Sequence, residues 1–108
     1  MRSLLLVAVL TLAACTQPSV KDDSLCRELG EQAGITRIVE SMLLNIAADA
    51  RIVRHFENID IERLRDKLVE QICEESGGPC TYSGDSMEES HKGQNLTPSD
   101  FNALVENL

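Results

Sequence analysis

His91 is one of only two histidines in the 108-residue chain, and it stands shortly after a Gly77-Gly78-Pro79 break. A neutral imidazole is a ready ligand for iron or zinc, so chemistry at His91 would be metal chemistry. Cys73 and Cys80 flank the break and add sulfur, as a disulfide or as zinc ligands. A zinc site from Cys73, Cys80 and His91 would need a fourth ligand, and its spacings match no common finger pattern. No arrangement of serine, histidine and carboxylate stands out, nor does a glycine-rich phosphate loop. The formal charge of -8 argues against nucleic acid as a partner, since a phosphate backbone selects basic surfaces.

The elements that would position His91 are helical. In residues 34–48 the apolar positions Ile35, Ile38, Val39, Met42, Leu43 and Ile46 are spaced three and four apart, one buried face of a helix. A short helix over 24–29 precedes it and stops at Gly30. Asp60 caps the next helix, whose expected buried stripe is Ile61, Leu64, Leu68 and Ile72, and Gly77-Gly78-Pro79 ends it. The stretch between, with Phe56 as one of three aromatics, has room for a single turn. Ser86 and Glu89 form a capping-box pattern for a short helix carrying His91. Thr97 and Pro98 start a last helix, expected to bury Phe101, Leu104, Val105 and Leu108. No strand alternation of useful length appears, so the fold class is all-α.

The first fifteen residues, MRSLLLVAVLTLAAC, have one basic residue, an apolar run from Leu4 to Leu12 and small residues before Cys15, the layout of a secretory signal. The run is far shorter than the ~20 residues that cross a bilayer. Leu12-Ala13-Ala14-Cys15 resembles a bacterial lipobox, which implies a signal peptide over 1–14 and lipidation of Cys15 as the membrane anchor; a plain signal peptide is the alternative. Thr16 rather than an aspartate after the cysteine favours, by resemblance to lipoprotein sorting rules, the periplasmic side of the outer membrane. Residues 15–23 read as a tether and 24–108 as one domain, of a size that buries only about 60–65% of its unfolded surface. The remaining Cys26, Cys73 and Cys80 can form one bridge among themselves.

Gly77, Gly78, Pro79, Tyr82, Gly84, Met87, His91 and Gly93, with Leu96-Thr97 and Phe101 after them, resemble in type and ungapped spacing the group I truncated haemoglobins, the small two-over-two helical globins. The segment LGEQAGI resembles that family's start, and LRDK after Asp60 its long distal helix. The likeness runs from Leu25 to Leu108. It implies b-type haem held by His91 as proximal iron ligand, with oxygen, nitric oxide or carbon monoxide as gas ligands; a reductase partner for the iron is left open. Phe56 matches the aromatic that stacks on the porphyrin, and a core plug would occupy the same position. Arg63 and Lys67, sharing a helix face, would meet the haem propionates by the same resemblance, or form an ordinary solvated face. Leu43, Leu64, Leu68, Ile72, Met87 and Leu96 would line the haem slot, and each is equally explicable as core. His55 is expected at the surface, pointing away from the haem.

Two departures from the family pattern matter. The Phe-Tyr pair whose Tyr hydroxyl assists bound oxygen is here Met42-Leu43, and the assisting glutamine is Leu68, so the distal pocket is expected to be wholly apolar. Oxygen storage is then disfavoured against nitric oxide chemistry, gas sensing or simple haem holding. The second departure is a C-terminus in which the last two helices are incomplete, which suggests an incomplete chain, an oligomer or loose haem binding. A haem-free lipoprotein scaffold with globin-like helices is the rival reading. Cys73, in the last turn of its helix, and Cys80, just past the break, are close enough along a reversing chain to bridge. Cys26 would then be a thiol, or could be the true partner of either.

Overall fold

A computed structural model describes residues 21–108, and among these every regular element is helical. The expected signal peptide, lipidated Cys15 and most of the tether lie outside the described residues. The elements are α1 (Ser24–Glu28), α2 (Glu31–Ala47), a 3₁₀ turn (Val53–Phe56), α3 (Ile61–Glu75), α4 (Met87–His91) and α5 (Pro98–Glu106). Among the described residues no helix is long and apolar enough to cross a membrane.

The expected periodicity produces α2, which starts at Glu31, four residues before the first position of its apolar stripe, Ile35. Ile35, Val39, Met42 and Ile46 are buried along one face. That face lies against α3, where Val69 and Cys73 join Cys26, Ile35 and Val39 in one apolar cluster. A second cluster gathers Met42, Ile46, Ile52 and Ala103, which brings α5 under the end of α2. Full burial of such a side chain contributes about 1.5–3 kcal/mol, so these two clusters hold the helices at fixed rotations.

The helix ends follow the chemistry of their sequence. Asp60 Oδ1 accepts the Arg63 N–H at 3.1 Å and caps α3. At its other end the Gly78 N–H donates to Cys73 O at 2.8 Å and the Gly77 N–H to Glu74 O at 3.1 Å, a Schellman pair that needs the left-handed φ of +87° at Gly77. Thr97 and Asp100 form a reciprocal capping box on α5, with Pro98 in its first turn. The end of the expected tether is pinned to this break, since Lys21 Nζ donates to Gly78 O at 3.0 Å.

The rotation of α5 differs from expectation. Ala103 and Asn107 are buried, whereas Phe101, Val105 and Leu108 are 65%, 51% and 70% exposed. Polar contacts fix that rotation: Asn107 Nδ2 donates to Asp49 Oδ2 at 2.8 Å, Asn45 Nδ2 donates to Asn107 O at 3.1 Å, and Arg51 pairs with Glu106 at 2.7 Å. Hydrophobic spacing alone cannot see such pins. The stripe of α3 is likewise split: Val69 and Cys73 face the core, while Ile61 is 45% exposed.

These pins make the fold sensitive to acid. Asp49 accepts from the Arg51 side chain, from Asn107 and from the Arg51 backbone, which holds its carboxyl well below the ordinary aspartate range. A carboxyl depressed in the folded state contributes stability above its unfolded value, and that contribution is lost as pH falls through the folded one. Helical circular dichroism should therefore weaken as pH drops below about 4, the unfolded aspartate range. Asp49→Asn should be less stable at neutral pH and should show a shallower dependence on acid; equal slopes for both proteins would remove Asp49 from the account.

Candidate functional site

Three constraints position the short helix α4. The disulfide Cys73–Cys80, with its Cα atoms 5.6 Å apart, ties the chain after the break back to α3. Further along, the Ser83 N–H donates to Glu70 Oε2 at 3.0 Å and Lys67 Nζ donates to Ser83 Oγ at 2.7 Å. The Ser83 N–H, followed by its hydroxyl and the Lys67 ammonium, lowers the Glu70 pKa. Ser86 Oγ then accepts the Glu89 N–H at 3.1 Å and starts the helix.

At the end of α4, His91 Nδ1 lies 2.7 Å from the carbonyl oxygen of Met87. A carbonyl only accepts, so Nδ1 carries a proton, and the neutral ring then keeps its lone pair on Nε2. That tautomer, with the ring steadied through its second nitrogen, is the one a metal-ligating histidine uses.

His91 stands on the wall of a cavity of about 580 Å³ shared by the 3₁₀ turn, α3, α4, α5 and the connecting loops. The volume falls within the roughly 300–1,000 Å³ usual for small-molecule and cofactor sites. Phe56, Leu64, Leu68, Met87, Leu96 and Leu104 supply much of its apolar wall. Met87 and Leu96 remain 43% and 45% exposed beside Phe101, a contiguous apolar slot of the kind a flat apolar ligand covers.

Of the residues expected around a cofactor, Phe56, Arg63, Leu64, Lys67, Leu68, Met87, His91 and Leu96 meet at this one cavity. Leu43 and Ile72 do not. Leu43 instead lines a separate cavity of about 560 Å³ with Leu44, Val53 and Ile61, because burial of Val39, Met42 and Ile46 sets the rotation of α2. Ile72 packs against the Cys26–Ile35–Cys73 cluster, on the core side of α3. Arg63 is exposed on the cavity wall, and its guanidinium has no hydrogen-bond partner among the described residues. The Lys67 ammonium is engaged by Ser83 and, at 3.2 Å, by Glu70.

His55 corrects its surface assignment: it lines the cavity, its side chain is 16% exposed, and Nε2 lies 3.4 Å from Asp100 Oδ2. The 3₁₀ turn brings it inward, and the capping box of α5 sets Asp100 beside it. Asp100 is held below its usual range, first by the Thr97 backbone N–H and then by Thr97's hydroxyl and the charges of His55 and Arg54. The wall is also less uniformly apolar than expected. Gln71, Tyr82 and Gln94 line it, yet Tyr82 donates to Asp85 O at 2.6 Å and Gln94 to Ser90 O at 3.1 Å. Gln71 Nε2 meets only the thioether of Met87, at 3.4 Å. The i, i+3, i+4 spacing of Leu64, Leu68 and Gln71 was the available signal for Gln71, and Tyr82 stood in the motif that leads to His91; nothing comparable marked Gln94.

The zinc alternative loses two ligands, since Cys73 and Cys80 are bonded to each other. An imidazole with a free lone pair, an apolar slot and an uncommitted guanidinium fit haem better, a flat apolar macrocycle with two carboxylates.

Residues 24–108 match the bacterial-like globin family. The group 1 truncated hemoglobin of Tetrahymena thermophila is 34% identical over 88 residues, which cover 82% of this chain and 73% of that protein. The group 1 truncated hemoglobin GlbN of Nostoc commune is 30% identical, over 74% of this chain and 68% of that one. The crystal structure of the Tetrahymena pyriformis truncated hemoglobin in its Fe(III) form superposes with a TM-score of 0.73 at 30% identity, covering 77% of this chain and 71% of the other. The chain therefore belongs to the bacterial-like globin family, and within it to the group I truncated globins.

Proposed function

We propose that this globin binds b-type haem through His91 Nε2 and presents to diatomic gases a largely apolar distal side, with Leu68 on the cavity wall at a usual donor position and Leu43, at the other, turned to the neighbouring cavity. The observation that carries the reading is the bond from His91 Nδ1–H to Met87 O, which leaves Nε2 free on the cavity wall. Haem iron, when bound, supplies the site at which oxygen, nitric oxide or carbon monoxide is held. Around it Phe56, Leu64 and Leu68 exclude water, and Arg63 offers a charge-assisted partner for a propionate. Supporting export and lipid anchoring at Cys15 is the sequence of the first fifteen residues, which places the domain on the periplasmic side of a bacterial membrane in this reading, with the outer membrane favoured.

Titration of the domain with haemin, followed by visible absorption in the oxidised, reduced and carbon monoxide states, tests the haem reading. Saturation near one equivalent with a sharp Soret band and a carbon monoxide adduct is expected. Linear, unsaturable absorbance would leave a globin scaffold without its cofactor.

A further inference from the structure

Cys26 is the one free cysteine among the described residues, and it is 3% exposed in the core between α1 and α3. Its surroundings are unusual because they contain a disulfide. A Cβ placed on Gly78 would lie 2.7 Å from Cys73 Sγ and 2.8 Å from Cys26 Sγ, so both sulfurs converge on the same glycine. Gly78 thus leaves room for two sulfurs where any side chain would collide with them. The backbone holds the cluster together: the Cys26 N–H donates to Ser76 O at 3.1 Å, and Ser76 Oγ donates to Cys73 O at 3.1 Å. A single staple between α3 and the following loop needs only two cysteines, so the third is unexplained by the haem site.

The geometry points to an internal thiol–disulfide exchange in which Cys26 displaces Cys80 from Cys73, transferring the staple from the haem-side loop to α1. In that step the Cys26 thiolate forms a bond to Cys73 Sγ as the Cys73–Cys80 bond breaks, and the electron pair leaves on Cys80 Sγ. The proton lost by Cys26 is matched by one gained at Cys80. One disulfide and one thiol stand on each side, so no oxidant or reductant is consumed.

The two linkages have different consequences for the segment that carries His91. With Cys73–Cys80 closed, the chain after the break is tied covalently to α3. With Cys26–Cys73 closed, the core keeps its staple, but the path to α4 is held only by noncovalent contacts. Those include Gly77 to Glu74 O, Gly78 to Cys73 O, Lys21 to Gly78 O, the Ser83 bonds to Lys67 and Glu70, and Gln71 to Met87 Sδ. The exchange would therefore alter how firmly the proximal helix is held without unfolding the domain. This consequence rests on the haem reading, whereas the exchange itself does not.

The test is disulfide mapping of the full chain, equilibrated for the hours that reshuffling takes, acid-quenched, alkylated in denaturant and digested. A major form with Cys73–Cys80 linked and a minor form with Cys26–Cys73 linked and Cys80 alkylated are expected, the minor form vanishing in Cys26→Ser. Cys80 never alkylated in the oxidised chain, or Cys26 linked to Cys15, would overturn the exchange. Cys80→Ser with oxidised glutathione should close Cys26–Cys73 on its own; persistence of both thiols in a folded variant also overturns it. If haemin binds, Cys80→Ser should release it to a competing apoglobin about tenfold faster than Cys26→Ser. Equal release would remove the link to the proximal helix, while a failure of haemin to bind either variant leaves the mapping to decide the exchange.

Discussion

His91→Ala should abolish the Soret band and the carbon monoxide adduct in a haemin titration, and added imidazole should restore both. The loss should exceed the roughly 10–100-fold that removal of a mere ligand-orienting partner costs a metal site, because the ligand itself is gone. The fold should not change, since the His91 side chain is exposed and its one hydrogen bond stays within α4. Thermal stability within about 0.5 kcal/mol of the parent is therefore expected, as for other surface substitutions. Rescue by imidazole follows from the rest of the site, because Phe56, Leu64, Leu68 and Leu96 still form the slot that receives the macrocycle. An unchanged spectrum in His91→Ala would transfer the ligand role to His55, the other imidazole on the cavity wall. The double variant separates that outcome from haem bound without any protein ligand.

How much of this was legible in the sequence depends on which force sets each feature. Caps and breaks were readable because they are local: Asp60, Ser86 and Thr97 each accept the N–H three residues on, as their types imply. The position of His91 was readable from an ungapped spacing that the fold keeps, and the Cys73–Cys80 pairing from a short reversing segment. The rotations of α3 and α5 were not, because contacts distant in sequence fix them. Asn107 reaches Asp49 and Asn45 across the fold, and so turns Ala103 into the core and Phe101 outward. His55 was misread for a related reason: the 3₁₀ turn carries it inward beside Asp100, which belongs to another helix. Leu43 and Ile72 illustrate the limit of apolar periodicity, which says that a side chain is covered but not by which of two cavities or cores.

Leu68→Gln should slow oxygen dissociation about tenfold while changing carbon monoxide dissociation much less. A neutral hydrogen bond is worth about 1 kcal/mol net and one to a charged group about 1.5–3 kcal/mol, and about 1.4 kcal/mol, between the two, is a factor of ten. Leu68 is the right place for such a donor because it faces the same cavity as His91, on the stripe shared with Leu64 and Gln71. It also touches both core clusters, so the substitution should lower thermal stability by about 1 kcal/mol, a typical single-site cost. Leu43→Gln is the informative partner. Leu43 belongs to the wall of the neighbouring cavity, so its replacement should leave oxygen dissociation near that of the parent. Stopped-flow displacement of oxygen by carbon monoxide reads both variants. A parent already as slow as Leu68→Gln would mean that another donor serves the bound gas; Gln71, whose amide has only a thioether to meet, is the group to replace next.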